Sequence, residues 1–408
     1  MKIPHDWQIA TLGGLGDWKG GGTPSKSRKE YWDGNIPWAS PKDFKGGVLS
    51  ETEDSITPMA VQRSSTALIG QGSIIFVTRS GILRHKVPVA VNTVSVAINQ
   101  DLKALNTYTE YCALFVFYTV QAFNDAIRKQ TVKTGTTVES IDFQSLKNFQ
   151  IPLPPTLTEQ RAIATALSDV DRLLSACDQL IAKKKAIKQG AMQELLTGRR
   201  RLEGFEGEWR DWKVGAIGYT YSGLTGKTKE DFDRGDGRYI TFLNVMNNVR
   251  IDINILESVN VNVGEHQNTA QVGDLFFNTS SETPGEVGMC AVLLEDVSQV
   301  YLNSFCFGFR LHEGIEIEPI YLAYYFRSSV GRNAFFSLAQ GATRYNLSKS
   351  NFNNITLNLP QLDEQHAIAQ ILTDMDAEIA ALEQQRDKYK AVKAGMMQEL
   401  LTGKTRLI

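Results

Sequence analysis

The chain has little cysteine, little histidine and no long apolar run. Its four cysteines (Cys112, Cys177, Cys290, Cys306) form no Cys-x-x-Cys pair and are too scattered for a disulfide framework. A reducing cytoplasm is the compartment this predicts. The five histidines (His5, His85, His266, His312, His366) never pair at metal-ligand spacing, so no metal site is expected. The most apolar stretch, Tyr111–Val120, is about half of what a bilayer crossing needs, which excludes a membrane span of the helical kind. The N-terminus, Met-Lys-Ile-Pro-His-Asp-Trp, has no apolar core of a signal peptide. Neither sign of charge dominates: 43 Lys+Arg against 45 Asp+Glu leave −2. Taken alone, that balance speaks against a nucleic-acid binder, because phosphate neutralisation needs cations. Hydrophobic content of 42% and charged content of 22% are those of ordinary globular domains, which excludes wholesale disorder.

Catalytic motifs are absent too. Gly226-Lys227-Thr228 looks like the end of a P-loop, but Tyr221 stands where its first glycine belongs. Gly13-Gly14-Leu15-Gly16 opens no βαβ unit and is a weak dinucleotide signal. No Gly-x-Ser-x-Gly elbow and no Asn-Pro-Pro-aromatic run occurs. Asp169-Val-Asp171 recurs as Asp374-Met-Asp376 on helical segments, where a solvated face or a partner contact outweighs a catalytic dyad. No active site is expected.

What the chain does have is a repeat. Leu157-x-Glu159-Gln160-x-Ala162-Ile163-Ala164 returns as Leu362-x-Glu364-Gln365-x-Ala367-Ile368-Ala369, and Met192-Gln-Glu-Leu-Leu-Thr-Gly198 as Met397-Gln-Glu-Leu-Leu-Thr-Gly403. The offset is 205 throughout, without a gap. Fainter pairs flank these: Trp7 with Trp209, Gly135-Thr136-Thr137 with Gly341-Ala342-Thr343, and Phe149–Pro154 with Ile355–Pro360. A period this long means a duplicated pair of modules and not a solenoid of short repeats. The segments are 1–152, a first variable domain; 153–202, a helical spacer; 203–358, a second variable domain; and 359–408, a second spacer.

The spacers read as long helices. Ile163, Leu167, Val170, Leu174, Cys177 and Ile181 follow steps of four and three, a heptad seam, and Ile368, Leu372, Met375, Ile379 and Leu382 repeat it. Arg386 and Lys393 interrupt the second seam. Thr158 or Asp363 would be the N-cap, and Gly198 and Gly403 the stop. Each helix would run about 40 residues, roughly 60 Å. The duplication predicts pseudo-two-fold symmetry and an antiparallel pair with a variable domain at each end. The alternative is two separate helices, each docked on its own domain. The fold class is therefore α+β: two mixed α/β domains separated by a pair of long antiparallel helices, a coiled coil.

Within the variable domains, Gly72–Thr78 and Gly273–Thr279 read as buried strands entering a loop, with further strands in Val87–Asn99 and Gln299–Leu311. Thr109–Lys129 and Pro319–Leu338 read as aromatic-rich amphipathic helices whose rings are core. Polar loops at 19–29, 79–86, 133–137, 223–229 and 340–346 are either solvated turns or donors to phosphates and base edges.

These features together resemble the specificity (HsdS-type) subunit of type I restriction–modification systems. The residues that carry the resemblance are Gly22-Thr23-Pro24-Ser25, Ile36-Pro37-Trp38-Ala39-Ser40 with Asp43, and Thr78-Arg79-Ser80-Gly81, together with the Glu159-Gln160 and Met192–Gly198 motifs and their second copies. The second domain departs from the pattern: Gly22-Thr23-Pro24 has only a loose counterpart near Thr225-Gly226-Lys227, and Arg79-Ser80-Gly81 becomes Ser280-Ser281-Glu282. The resemblance implies a subunit with no catalysis of its own, whose two target recognition domains each read one half of a split double-stranded DNA sequence. It implies two methyltransferase subunits bound to the helical region and endonuclease-translocase subunits joining them. S-adenosylmethionine, ATP and Mg would belong to those partners, in a bacterial or archaeal cytoplasm. The helical spacer would set the gap between half-sites.

On that basis Thr23, Ser25, Lys26, Arg28, Arg79 and Ser80 are the expected DNA contacts of the first domain, and Thr225, Lys227, Thr228, Asn278, Thr279 and Arg344 those of the second. Glu159, Gln160, Ile163, Leu167, Val170 and Leu174, with Glu364, Gln365, Ile368, Leu372, Met375 and Ile379, are the expected spacer and partner-binding residues. The net charge divides unevenly: +3 over 1–152, +4 over 153–202, −7 over 203–358 and −2 over 359–408. Weak DNA binding by the isolated chain follows. The runs Lys183–Lys185 and Arg199–Arg201 are solvated, partner-facing or between the half-sites. Two other functions stay open at this point: an adaptor for a solitary methyltransferase, and a scaffold of two peptide-binding modules.

Overall fold

A computed structural model describes residues 4–133, 138–338, 341 and 345–407. Two helices dominate it, Leu157–Leu195 and Leu362–Leu400, each 39 residues long. Both begin two residues earlier than N-caps at Thr158 and Asp363 predict. In the first, the Thr156 hydroxyl accepts the Glu159 N–H at 3.2 Å. In the second, the Gln361 carbonyl accepts the N–H groups of Glu364 and Gln365. Beyond the far ends, Gly198 (φ 68°) and Gly403 (φ 73°) take the left-handed conformation that stops a helix.

The chain divides into two compact units, 1–178 with 384–408, and 179–383. The four segments drawn from sequence cut across them. Neither helix is a domain of its own, because each gives one half to each unit. Inside the first unit the two helices run antiparallel: Asp171 pairs with Lys393 at 2.6 Å and Asp178 with Arg386 at 3.7 Å, so one number falls as the other rises. Inside the second, Lys184 pairs with Glu378 at 2.6 Å and Lys188 with Asp376 at 2.5 Å. The polar interruptions of the heptad seam are thus cross-helix ion pairs.

The first unit contains a five-stranded sheet in the order Gly16–Gly20, Leu102–Thr107, Ile74–Val77, Val89–Asn92, Val48–Leu49. A four-stranded sheet follows the order Asp54–Ile56, Trp32–Ala39, Val96–Ile98, Ala67–Ile69. Ile74–Val77 is buried at every position, as its unbroken apolar run requires. The second unit repeats this plan with Gly218–Ser222, Cys306–Leu311, Leu275–Asn278 and Cys290–Val292 in one sheet and Glu257–Val259, Phe232–Ile240 and Val300–Leu302 in another. Even an irregularity is copied. The strands from Trp32 and from Phe232 both bulge, with Asp33 (φ 58°) and Asp233 (φ 61°) in the left-handed region.

Each expected aromatic helix is two helices. Ala113–Ala122 and Asn124–Thr131 break at Phe123, and Pro319–Arg327 and Ser329–Leu338 break at Ser328. The first helix of each pair is not amphipathic. Phe115–Val120 are all buried, as are Tyr321–Phe326. Six consecutive buried residues go more than once round a helix, so the middle of each aromatic helix is covered on every side.

Candidate nucleic-acid interface

In the first unit the predicted loops 19–29 and 79–86 meet along one ridge. The loop that follows Gly16–Gly20 is tied to the turn after Val96–Ile98: Gly22 N–H donates to the Ile98 carbonyl at 3.0 Å, and the Thr23 hydroxyl to Gln100 Oε1 at 2.6 Å. The next residue, Asp101, accepts from both the N–H (2.8 Å) and the hydroxyl (2.9 Å) of Thr78, where the central strand ends. The strand edge is closed by Arg79 bridging Ser140 and by Ser80 N–H donating to the Glu139 carbonyl. Thr23, Arg79 and Ser80 are thereby brought together. Ser25, Lys26 and Arg28 are exposed on the first loop, with Arg28 donating to the Tyr31 hydroxyl at 2.8 Å. Arg79 is exposed too. Glu139 is buried, and the Arg84 guanidinium beside it holds its carboxyl below the usual range.

The second unit builds the same ridge from a different sequence. Leu224 N–H donates to the Leu302 carbonyl at 2.7 Å, and Thr279 donates to the Phe305 carbonyl through its N–H (3.0 Å) and its hydroxyl (2.9 Å). Ser280 and Ser281 pair with Asn346 and Tyr345. Thr225 is exposed at this ridge. Other expected contacts are corrected. Asn278 is fully buried; its amide donates to the Ser280 and Glu286 carbonyls and accepts the Met289 N–H, so it shapes the loop and presents nothing to a base. The Lys227 side chain is only 5% exposed and its ammonium pairs with Glu265, which Gln267 and the Asn262 N–H also hold. Thr228, by contrast, stays exposed, with its hydroxyl donating to Asp231 in a capping box. Arg344 lies outside the described residues, as do Gly135-Thr136-Thr137.

Sequence reasoning missed the turns between the loops. Gln100 and Asp101, and Phe305 in the second unit, tie each ridge together, and Phe305 is 60% exposed. The available signal was a polar turn, Asn99-Gln100-Asp101, matched by Asn303-Ser304-Phe305 between two buried strands.

The seam residues sit in core. Ile163, Leu167 and Val170 are buried in the first unit, Ile163 and Leu167 in a cluster with Phe115, Leu400 and Leu401; Ile368, Leu372 and Ile379 are buried in the second. Leu174 and Met375 are half-buried. The repeated Glu-Gln pairs are likewise spent inside their units, which corrects their expected role toward a partner. Gln160 accepts the Cys112 N–H and donates to the Pro154 carbonyl, and Gln365 does the same with Glu318 and Pro360. Each Gln thus caps the aromatic helix of its unit. Glu159 receives Arg406, and Glu364 receives Arg201 at 2.6 Å; the two guanidinium carbons each lie 5.8 Å from a tryptophan ring, Trp7 and Trp209. The Asp-x-Asp pairs resolve in the same manner. Tyr118 donates to Asp171 and Tyr324 to Asp376, both at 2.8 Å. Apolar residues that the helices do expose are Leu173 and Val392 in the first unit and Leu180 and Ile187 in the second.

Among the described residues no group of His, Cys, Asp and Glu could hold a metal ion, and no helix is long and apolar enough to cross a membrane. The comparisons agree with the doubled ridge. The family model for the type I restriction modification DNA specificity domain matches twice, over 4–189 and 206–389. The EcoR124I/EcoR124II specificity subunit of Escherichia coli is 37% identical over 185 residues, 45% of this chain and 45% of that protein; the match spans just under half its length. The MjaVIII specificity subunit of Methanocaldococcus jannaschii is 24% identical over 100% of this chain and 95% of its own. Among solved structures, the type I S subunit from M. genitalium superposes with a TM-score of 0.60 at 15% identity, covering 98% of both chains. A chain from a type I R-M assembly gives 0.59 at 16%, covering 98% and 99%. Duplicated ridges, paired helices and a family match over both halves lead to one conclusion: this chain belongs to the type I restriction–modification DNA specificity family.

Proposed function

We propose that each unit reads one half of a bipartite DNA target through its ridge, and that the long helices set the distance between halves. The observation that carries this reading is the ridge built twice, with the same three backbone ties and different exposed side chains. Two readers of one architecture and unlike surface suit two unlike half-sites. Arg79, exposed where the central strand ends, has the fork that reads guanine bidentately. Lys26 and Arg28 suit phosphates. Thr225 and the exposed Phe305 ring are the counterpart surface in the second unit. The chain itself performs no chemistry. It docks two methyltransferase subunits through apolar residues exposed on the helices, and endonuclease-translocase subunits complete the complex. S-adenosylmethionine, ATP and Mg are held by those partners.

The test is Arg79→Ala in the assembled methyltransferase. The variant should relax or lose one half of the methylated motif, by roughly tenfold for a bidentate contact, and leave the other half intact. Equal loss at both halves contradicts the two-reader model.

A further inference from the structure

Behind each ridge lies a half-buried arginine that donates to backbone carbonyls of the loop, one in the first unit and three in the second, and forms no ion pair with a carboxylate of the loop. In the first unit it is Arg128, from Asn124–Thr131. Its Nη1 donates at 3.1 Å to the carbonyl of Arg84, the last residue of the short turn Gly81–Arg84 that follows Arg79 and Ser80. In the second it is Arg332, from Ser329–Leu338. Its Nη1 donates to the Gly288 carbonyl at 3.0 Å, and its Nη2 to those of Gly285 (2.9 Å) and Val287, around the short turn Pro284–Glu286. The two arginines occupy the same place in the two units, on the second helix of the broken pair. They share a cost as well. The Nε of each is buried with no hydrogen-bond partner, and leaving a buried donor unpaired disfavours folding.

We propose that Arg128 and Arg332 are positioning residues, each holding the loop after its central strand in the shape with which that unit reads its half-site. The proposal rests on the DNA-reading function above and assigns it residues that meet no base. The loops need such a brace. Beyond their entry pairing each contains one turn too short to satisfy its own last carbonyls. The arginine takes those carbonyls from the inner side, while Arg79 and Ile82, or Glu282 and Thr283, are exposed on the outer side. In the second unit the grip is tighter. The guanidinium carbon lies 5.3 Å from the Phe335 ring, and Gly288 (φ 70°) is packed so closely on that ring that a Cβ would stand 2.8 Å away. A planar fork spans three carbonyls at once; a lysine ammonium cannot. The loop's far end is also fastened: Asn124 exchanges two hydrogen bonds with Val87, and Arg327 donates to the Cys290 carbonyl at 2.5 Å.

The experiment maps methylated motifs made by the chain with its methyltransferase subunits, for the native chain and for Arg128→Ala, Arg332→Ala and Arg332→Lys. Arg332→Ala should reduce discrimination at one half-site by roughly tenfold, the worth of one lost base contact, and leave the other half unchanged. Arg128→Ala should do the reverse. Arg332→Lys, which keeps the charge and loses the fork, should lose part of the same discrimination relative to the native chain, and it carries the test by itself where Arg332→Ala is insoluble. Unchanged motifs overturn the proposal. So does a uniform drop in methylation with discrimination intact, which marks a purely structural brace. If the native chain yields no bipartite motif, the DNA-reading function itself fails, and the two failures are told apart.

Discussion

At the residue scale, buried polar side chains decide which loops are rigid. Asn278 satisfies two carbonyls and one N–H of the second ridge, all of which lose their partner in Asn278→Ala. The expected cost is about 1–3 kcal/mol, measured by denaturant unfolding, with relaxed reading of one half-site; an unchanged midpoint would contradict it. Lys227 and Glu265 behave similarly in the neighbouring loop. The Lys227 hydrogen bond, then Gln267 and the Asn262 N–H, hold the Glu265 carboxyl down to about 2 from an ordinary 4.5. A lowered folded-state pKa contributes stability that is complete above about 4.5 and is lost as pH falls through about 2. NMR titration should place Glu265 near 2, and Lys227→Ala should move it back toward 4.5; no movement would show that the ammonium is not the cause. Both residues show where sequence reading stops. Asn and Lys in polar loops are equally good DNA contacts or internal ties, and nothing local tells them apart. The deciding partners, Met289 and Glu265, are fixed only by the fold.

At the element scale, the long helices were legible because their apolar steps and the 205-residue offset need no tertiary information. Their starts differ from the expectation because Thr156 caps the first, and the Gln361 carbonyl opens the second, from outside the periodic pattern. The aromatic helices were harder. A segment buried on all sides has no polar face to mark its break, so the interruptions at Phe123 and Ser328 left no trace in composition. Least legible was the service performed by the chain after each helix. Arg406 closes on Glu159 and Asp6 in the first unit, and Arg201 on Glu364 in the second. Each unit is therefore latched by a tail that follows the other module's helix. Arg406→Ala should raise amide hydrogen exchange around the Glu159 end of its helix and leave the second unit protected. Arg201→Ala should do the opposite around Glu364. Loss of protection in both units from either variant would show that the latches are not local.

At the scale of the whole molecule, the near-neutral charge of the chain hides an imbalance. Residues 1–202 are basic and 203–408 acidic, with the deepest deficit, −7, over 203–358. On the function proposed above, such a balance leaves much of the grip on phosphate to partner subunits. Duplication explains the rest of the design. Two modules of about 205 residues became two units that each borrow half a helix from the other. The two ridges share their backbone ties at Thr78 and Thr279, while the side chains around them differ. That is why the second domain looked unlike the first in sequence and matches it in structure. The most direct test is a methylation map of host DNA with the gene present and deleted. The account predicts the loss of one bipartite adenine-methylation motif on deletion and its return on complementation. An unchanged map would contradict it.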